Sequence, residues 1–541
     1  MKTPRIFHIM ILFILLPALF LQGCTQQEQP DEPPVESEAP VEAVETPPEV
    51  SPVVRPQNPG QFTLRYDPNS TLNPITALNR DNILIASLLY ESLFVLDGSL
   101  EAHPVLCESW STEDNTVFTF DILPDIAMSD GSTLTAEDVA YTLRQAMLRG
   151  RYVNRFGTVA SVAATEDLTV TIELHTPNYR FICLLDVPII KNGSIESRVP
   201  PGTGAYVLSD TDEIRLDRFI WHRNHSGLPL PVIHLLACAD NDLTMLFDDG
   251  RLSLLWDDPS DAFDIRLNRL HEKRYYDTTV LQFIGFNGNH IALRDPDIRR
   301  AIGAAIDRQY IIDNIMTSPG SAIASPLAIS PAFHLYDAEW ENMVDLHPLE
   351  EMAVLLDRAR LADFDEDSFL ELGDGYGGYT KFTIDFIVNS ENIHKVRAAH
   401  KITETLRQNG LDVTVRELTW DRFITALRLG DFDMYYGETQ LGADFDLSPL
   451  LLPGGLNYGR VANTDYKPYI DDFLAAQADE DIQHAAYNLC YQIKIYAPIS
   501  PILYKRYFIY TPIGAVSGAS PGQSNVFRNF TDWTVNLYML V

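Results

Sequence analysis

The middle of the chain reads Val280-Leu-Gln-Phe-Ile-Gly-Phe-Asn-Gly-Asn289 and, shortly afterwards, Asp295-Pro-Asp-Ile-Arg-Arg-Ala-Ile-Gly-Ala-Ala-Ile-Asp-Arg-Gln-Tyr-Ile-Ile-Asp-Asn-Ile315. The first run is almost wholly apolar up to Phe286, as expected for a strand buried on both faces, and it ends in a Gly/Asn-rich turn. In the second run Asp295 is a predicted N-cap with proline at the first helical position, and apolar residues recur at helical spacing. The pattern predicts a strand that leads into a helix and opens a new globular unit.

The same residues resemble the GFN…D.RVRQA…AIDR segment of the family 5 extracellular solute-binding proteins, which serve ABC importers of peptides and nickel. Other segments resemble that family in the same order along the chain: Leu89–Phe94, His103–Trp110, Ser129–Val139, Pro200–Leu208, Leu418–Asp433, Ala497–Lys505 and Asn529–Trp533. The resemblance implies an α/β, two-lobed periplasmic-binding-protein-like fold, of type II and of the large cluster with an extra subdomain in lobe I. The chain would enter lobe II near residue 280 and return near residue 505.

The domain limits implied by the resemblance are 61–75, 191–280 and 508–541 for the lobe I core, 76–190 for the extra subdomain and 281–507 for lobe II. Local patterns support several elements within these limits. Thr135 and Asp138 fit a capping box at the start of a helix, and residues 168–174 alternate between apolar and polar as in a strand. Residues 391–408 read as a helix that ends at Asn409-Gly410, and its alternation with strands predicts parallel pairing in lobe II.

Length and charge limit the possible functions. The chain has 541 residues and a formal net charge of −35. This length exceeds what one hydrophobic core organises, and a prior of roughly 150 residues per domain predicts about three units. Nucleic acids and anionic membranes bind clustered cations, so the acidic balance disfavours both. We therefore expect no nucleic-acid partner, and we expect a monomer.

The first 60 residues predict export and anchoring. Lys2 and Arg5 precede an apolar run from residue 6 to residue 20, which is the layout of a secretory signal in residues 1–23. Leu21-Gln-Gly-Cys24 resembles the bacterial lipoprotein signal, in which the cysteine is acylated and anchors the protein to a membrane. Ordinary signal cleavage nearby is the alternative. Residues 24–60 are rich in proline and glutamate and predict an extended, disordered tether.

The remaining cysteines lack the spacing of a metal site. They are Cys107, Cys183, Cys238 and Cys490. Each lies beside apolar residues, which favours small core side chains over metal ligands, although export leaves a disulfide possible.

One acidic segment and one histidine-containing segment are further candidate metal sites. Asp363, Asp365 and Asp367 are spaced as in a calcium loop, but Ser368 replaces the glycine expected at the sixth position and Asp374 replaces the glutamate expected at the twelfth. A solvated loop is the better interpretation. The run that contains His222 and His225 has no acidic or cysteine partner at metal spacing. We expect no metal and no cofactor.

Gly518-Ala-Ser-Pro-Gly522 matches the nucleophile elbow of hydrolases. That elbow uses the backbone N–H after the serine in its oxyanion hole, and Pro521 has no N–H. Ser520 is therefore interpreted as part of a surface turn, and the chain is not expected to be an enzyme.

The most informative ligand-binding candidate is Gly442-Ala-Asp-Phe-Asp446. It resembles the Ala-Asp-aromatic stretch in which peptide-binding family members use an aspartate to hold the α-ammonium group of the ligand, which implies this role for Asp444, next to Phe445. The alternative is a turn carboxylate that caps its own backbone. Trp420 is a second candidate, either as a cleft residue or as helix core, and Tyr90, in the first of the matching segments, is a third.

Together these features predict a lipid-anchored, extracytoplasmic binding protein that captures di- to oligopeptides between its lobes and delivers them to an ABC permease and its ATPase. Closure would follow from ligand contacts made with both lobes. The alternatives are binding of a nickel chelate or another small solute, and a receptor that senses peptides without transport. A serine hydrolase is the remaining, weakest alternative.

Overall fold

The structure is a computed structural model that describes residues 60–260, 265–316, 320–323, 325–327, 349–461 and 465–540. The predicted signal peptide, Cys24 and nearly all of the predicted tether lie outside these residues. Within them, no helix combines the length and the apolar character that a membrane crossing requires.

Residues 60–260 contain eleven strands and three α-helices. The strands are β1 (Thr63–Tyr66), β2 (Phe94–Leu96), β3 (Ala102–Pro104), β4 (Cys107–Thr112), β5 (Val117–Ile122), β6 (Val159–Glu166), β7 (Thr169–Leu174), β8 (Tyr206–Leu208), β9 (Arg215–Arg218), β10 (Val232–Ala237) and β11 (Leu255–Asp257). The helices are α1 (Arg80–Leu89), α2 (Ala136–Leu148) and α3 (Leu243–Asp248).

The described residues after position 264 contain the longest strands and most of the helices. The strands are β12 (His271–Phe286), β13 (Ser321–Ala322), β14 (Leu361–Ala362), β15 (Glu371–Gly373), β16 (Tyr379–Thr380), β17 (Ile384–Asn389), β18 (Val413–Leu418), β19 (Met434–Gln440), β20 (Ile499–Pro512), β21 (Val516–Ser517) and β22 (Thr534–Val535). The helices are α4 (Pro296–Ala304), α5 (Arg308–Tyr310), α6 (Leu349–Arg358), α7 (Ile393–Gln408), α8 (Trp420–Leu429), α9 (Ser448–Leu451), α10 (Lys467–Ala475) and α11 (Asp479–Tyr496).

Two four-stranded sheets lie in the first part of the chain. The order β1-β10-β9-β8 combines a parallel pair, β1 with β10, and antiparallel neighbours. The order β4-β5-β7-β6 is antiparallel throughout and lies within the predicted extra subdomain. Helix α2 begins with the predicted capping box, because the Thr135 side chain accepts from the Asp138 N–H and the Asp138 carboxylate accepts from the Thr135 N–H.

A seven-stranded sheet contains both predicted crossings between the lobes. Its order is β11-β20-β12-β19-β17-β18, with β13 added on β20. Strands β12 and β20 run antiparallel from the pair His271 and Pro512 to the pair Gly285 and Ile499, with a register shift after Asp277. The two chain passages therefore lie side by side as one long ribbon. The predicted parallel pairing is confirmed for β17, which is parallel to both β18 and β19.

The helix predicted over residues 295–315 is interrupted, so this prediction was wrong in its length. Asp295 and Pro296 begin α4 as expected, but α4 ends at Ala304; the side chain of Asp307 then caps α5, and a π-helical turn follows at Ile311–Met316. The buried Arg308 guanidinium donates to the carbonyl oxygens of Gly303 at 3.1 Å, Ile306 at 3.2 Å and, on β20, Pro501 at 2.9 Å. The bonds to Gly303 and Ile306 satisfy carbonyl groups that a continuous helix would have paired internally, and the bond to Pro501 joins this segment to β20.

Helix α1 ends at Leu89, where Tyr90 takes an extended conformation and the chain continues to β2. The segment at Gly202 and Gly204 passes directly over this end of α1. A Cβ atom on Gly204 would lie 2.1 Å from the carbonyl carbon of Leu89, so only glycine allows this approach.

The apolar cores do not follow the predicted domain limits in every place. One large core joins the lobe I sheet and the extra subdomain. A second core lies in lobe II but also contains Leu96, Leu100 and Cys183 of the extra subdomain. The extra subdomain thus contributes residues both to the core of lobe I and to the core of lobe II. The limits themselves stay a prediction.

Candidate functional site

The loop after β19 carries the strongest candidate, Asp444. The turn from Gly442 to Asp446 is tight: a Cβ atom on Gly442 would lie 2.3 Å from Oδ1 of Asp444. Phe445 adopts a left-handed backbone conformation, with φ of 56°, and its side chain is fully buried in the lobe II core. A buried aromatic ring thus anchors the turn that carries Asp444.

Asp444 is a buried carboxylate whose hydrogen-bond partners are neutral. Only 4% of its surface is exposed. The side-chain amide of Asn178 donates to Oδ2 at 2.9 Å, and the backbone N–H of Asp446 is 3.4 Å from Oδ1. Burial, and then the negative charge of Asp446, raise the pKa of Asp444 to about 6. The site holds a carboxyl group whose negative charge is only weakly compensated.

Asp444 lines an open cavity of about 460 Å³ between the extra subdomain and lobe II. The lining residues are Arg151, Tyr152, Asn154, Arg155, Gly157, Thr158 and Asp186 from the extra subdomain, residues 439–442, Asp444, Asp446, 448–450 and Leu456 from lobe II, and Gln523 and Ser524 from the C-terminal segment. We call this space the Asp444 cavity. Polar side chains and main chain of three segments meet there, as in a site that fixes the orientation of a small ligand.

The charged groups around the cavity are partly paired. Arg155 forms an ion pair with Asp186 and donates to the carbonyl oxygen of Leu184 at 3.1 Å. Arg151 is exposed at the rim. The charge of Arg155 is shared, because it pairs with Asp186 and also interacts with Asp444. Among the described residues, no arginine or lysine forms an ion pair with Asp444 or Asp446.

Hydrogen bonds tie the extra subdomain to lobe II beside this cavity. Arg180 donates to the carbonyl oxygen of Ala443 at 3.0 Å and to that of Leu100 at 2.9 Å, and the Tyr179 N–H donates to the carbonyl oxygen of Leu474 at 2.8 Å. Sequence reasoning identified neither Asn178 nor Arg180. Their only local signal is a polar pair after a strand, and their partners lie more than 250 residues further along the chain.

A second carboxylate, Glu438 near the end of β19, lies in a charged cluster at the crossing strands, and its side chain is 25% exposed. Its carboxylate is 3.1 Å from the ammonium of Lys395 and 3.3 Å from that of Lys505, and it accepts from Gln282 at 2.8 Å. Lys505 also pairs with Asp258. Burial opposes ionisation of Glu438, but the two ammonium groups outweigh it and lower its pKa to about 2. We call these residues the crossover charge cluster.

Two other predicted ligand contacts lie outside the Asp444 cavity. Trp420 is the first residue of α8; it is half exposed and stacks on Phe423 with ring centroids 6.1 Å apart. Tyr90 is buried in lobe I, where its hydroxyl donates to the carbonyl oxygen of Pro200 at 2.9 Å and its ring lies under Gly202.

The motifs set aside in the sequence have ordinary structural partners. Ser520 is exposed, and its hydroxyl accepts from Arg528 at 2.7 Å. The acidic loop brings Asp363, Asp365 and Glu371 together, and the ammonium of Lys381 pairs with Asp365 and lies 3.8 Å from Glu371.

Comparison with solved structures defines the class of protein. The ABC transporter substrate-binding protein CtaP from Listeria monocytogenes has a TM-score of 0.71 to this chain at 19% identity, covering 89% of this chain and all of CtaP. The fold is therefore the two-lobed α/β fold of periplasmic binding proteins, as predicted.

The sequence comparisons then define the family. The profile described as bacterial extracellular solute-binding proteins, family 5 Middle, matches residues 101–455, and the chain belongs to this family. It is 23% identical over 517 residues to the probable deoxycholate-binding periplasmic protein YgiS of Escherichia coli K12, covering 87% of this chain and 92% of YgiS. It is also 23% identical over 524 residues to the periplasmic oligopeptide-binding protein OppA of the same strain, covering 87% and 91%. The protein is thus an extracytoplasmic solute-binding protein and not an enzyme.

Proposed function

We propose that this protein binds peptides with a free amino terminus and delivers them to the permease of an ABC importer. The observation that carries the proposal is the buried, weakly compensated carboxylate of Asp444 in an open cavity between the extra subdomain and lobe II. Membership of a solute-binding family and similarity to an oligopeptide-binding relative support it.

The electrostatics of the cavity favour a cationic group on the ligand. An ionised carboxylate that loses water without gaining a cation is unstable, and a charge-assisted hydrogen bond from an ammonium group restores the lost interaction. Asn178 holds Oδ2 with a neutral amide, which leaves the negative charge for the ligand to neutralise. An arginine or lysine at position 178 would have neutralised it permanently.

The four candidate residues receive different roles in this proposal. Asp444 contacts the ligand ammonium group, and Phe445 holds the turn by burying its ring in the lobe II core. Tyr90 supports the lobe I segment at Gly202. Trp420, half exposed on α8, is assigned to the outer edge of the cleft, where it covers ligand only when the lobes are closed.

YgiS, which is as similar to this chain as OppA is, suggests a different ligand class. Deoxycholate is a carboxylate, and Asp186, Asp444 and Asp446 would repel a carboxylate in the Asp444 cavity. We therefore prefer a peptide whose ammonium group enters this cavity.

The cellular setting is part of the same proposal. We infer that Cys24 carries the lipid anchor, that residues 24–60 hold the two lobes away from the membrane, and that a monomer presents peptide to the permease, with the ATPase of the importer driving uptake.

Calorimetry and mass spectrometry test this function. Ligand released from the purified protein is identified by mass spectrometry, and short peptides, N-acetylated peptides, nickel complexes and deoxycholate are then titrated. We expect free-amino peptides to bind, and Asp444→Asn to weaken them by roughly 10- to 100-fold while N-acetylated peptides change little.

Asp210→Asn, which removes an exposed carboxylate, serves as the control and should leave affinity unchanged. Equal weakening of free and acetylated peptides by Asp444→Asn would remove the role of Asp444. Heat from nickel complexes or deoxycholate, but none from peptides, would overturn peptide binding.

A further inference from the structure

The long strand β12 is irregular near residue 280, where the chain is predicted to enter lobe II. The register with β20 shifts between Asp277 and Leu281, so that three residues of β12 lie opposite one residue of β20, Lys505. A bulge of this kind bends the strand and leaves backbone groups outside the ladder. Thr278 and Thr279 in the bulge are buried, so these groups need partners within the protein.

Side chains complete the backbone hydrogen bonds of this bulge. The Thr278 hydroxyl accepts from the Val280 N–H at 3.1 Å and donates to the carbonyl oxygen of Lys505 at 2.7 Å. The N–H of Thr279 donates to the side-chain carbonyl oxygen of Gln523, and the amide nitrogen of Gln523 donates to the Thr279 hydroxyl at 2.9 Å. Because a backbone N–H can only donate, it fixes which end of the Gln523 amide faces β12. Gln523 thus takes the place of a missing strand partner.

Thr279 also holds the turn that carries Asp444. Its hydroxyl donates to the carbonyl oxygen of Leu441 at 2.7 Å, and the Leu441 N–H donates to the carbonyl oxygen of Thr279 at 2.9 Å. Leu441 comes directly before Gly442, where the tight turn begins. The hydrogen bonds of Gln523 therefore reach the start of this turn through a single residue, Thr279.

Gln523 itself is fixed in lobe I. The neighbouring Val526 and Phe527 are buried in the lobe I core, and the Phe527 ring packs on Trp533 with centroids 5.6 Å apart. Gln523 also borders the Asp444 cavity. A group anchored in one lobe thus holds the start of the binding turn in the other lobe, beside the space assigned to the ligand.

We propose that Gln523 is a positioning residue for ligand binding, which fixes the Asp444 carboxylate through Thr279 and makes no contact of its own with the bound ammonium group. The inference rests on the proposed function, because that function assigns the ligand contact to Asp444. A carboxylate that the protein has already oriented loses little conformational entropy when the ligand binds. Without the Gln523 bonds, a buried N–H of the bulge is left unpaired and the turn is held less firmly at its start.

Near-isosteric substitutions test this role. Gln523→Met removes both side-chain hydrogen bonds, Thr279→Val removes the hydroxyl, and Thr279→Ser keeps it. Gln477→Met changes an exposed glutamine outside the Asp444 cavity and is the matched control. Short free-amino peptides are titrated by calorimetry into each full-length variant, and into Gln523→Met combined with Asp444→Asn. Hydrogen–deuterium exchange of residues 441–446 is measured without ligand, with α2 as the internal reference for overall destabilisation.

We expect Gln523→Met and Thr279→Val to weaken peptide binding by roughly three- to tenfold and to speed exchange at residues 441–446 by a similar factor. Thr279→Ser and Gln477→Met should stay close to the wild type. In the Asp444→Asn background, Gln523→Met should cause no further loss of affinity, because both changes act through the same carboxylate.

Unchanged exchange at residues 441–446 in Gln523→Met, or unchanged affinity for peptides that bind the wild type, would overturn the assignment. So would an undiminished loss of affinity in the Asp444→Asn background, which would indicate direct contact between Gln523 and the ligand. If no peptide binds to the wild type, the proposed function fails; faster exchange in Gln523→Met would then still support the role of Gln523 in holding the turn.

Discussion

Glu438 and Asp444 are carboxylates near the end of one strand and in the loop that follows it, yet their surroundings differ: the Glu438 side chain is 25% exposed between two ammonium groups, and Asp444 is buried beside a neutral amide. Glu438 lies between the ammonium groups of Lys395 and Lys505, and its pKa is lowered to about 2. Asp444 has the neutral amide of Asn178 and the like charge of Asp446 beside it, and its pKa is raised to about 6.

The comparison distinguishes a carboxylate with a structural role, Glu438, from a carboxylate with a proposed ligand-binding role, Asp444. Glu438 joins α7, through Lys395, to the crossing strand that carries Lys505, and its charge is fully compensated by the protein. Asp444 carries a charge that the protein leaves largely uncompensated. The number of counter-charges within reach therefore distinguishes the two carboxylates and is the informative quantity for a binding role.

The largest expected effect is on stability when the crossover charge cluster is broken. Glu438→Gln removes the shared counter-charge of two lysines, one of which is only 5% exposed, and should lower the free energy of unfolding by about 2–3 kcal/mol. Urea unfolding measures it. Glu404→Gln breaks the exposed pair with Lys401 on α7 and should cost less than about 1 kcal/mol. Equal losses of unfolding free energy from Glu438→Gln and Glu404→Gln would contradict the structural role assigned to the crossover charge cluster.

The effect of Asp444→Asn on the free energy of unfolding is expected to have the opposite sign to that of Glu438→Gln and to depend on pH. A folded-state pKa of about 6, raised from 3.8, means that the native state binds the proton more tightly than the unfolded state does. The stabilising contribution of Asp444 is therefore complete below about pH 4 and is lost as the pH rises through about 6. Stability of Asp444→Asn relative to wild type should rise across this interval, by at most about 1.4 kcal/mol per pH unit.

For Glu438 the dependence of stability on pH has the opposite sign to that for Asp444. Its pKa is lowered from 4.5 to about 2, so its contribution is complete above about pH 4.5 and is lost as the pH falls towards 2. The deficit of Glu438→Gln should shrink over that acidic range. Urea titrations at stepped pH measure both differences; a flat difference for Asp444→Asn between pH 4 and 6 would show that its carboxyl group is not perturbed.

The smallest effect is expected at Trp420. Its ring is half exposed and packs on Phe423, outside the Asp444 cavity. Trp420→Ala should change peptide affinity by less than about threefold, or roughly 0.6 kcal/mol, when measured by calorimetry. A loss as large as that of Asp444→Asn would place Trp420 in direct contact with the ligand and would sharpen the boundary of the site.

Elements with local signals were predicted well. The capping box of α2 and the Asn409-Gly410 end of α7 depend on neighbouring residues, and both are observed where the sequence placed them. The strand predicted from residue 280 begins earlier, at His271, because its polar first half is held by pairing with β20 and not by an apolar pattern. The predicted helix after it is interrupted before Asp307, which caps α5, and Arg308 then binds carbonyl groups of distant segments, which no local pattern indicates.

The candidate site, too, was predicted only in part from the sequence. The Ala-Asp-aromatic pattern identified Asp444 as a candidate. Nothing near it in the sequence indicated that Asn178 would be its partner or that Arg155 would be paired with Asp186. The hydrogen bonds between Gln523 and Thr279 were equally absent from any local pattern.

Helix caps, strand alternation and the order of family segments are properties of neighbouring residues, and the sequence by itself determined them. The tertiary structure alone decided which buried charges are compensated, because Coulomb interactions depend on distance in space and on exclusion of water. Lys505 comes to Glu438, and an amide rather than a cation comes to Asp444, only when segments far apart in the chain pack together.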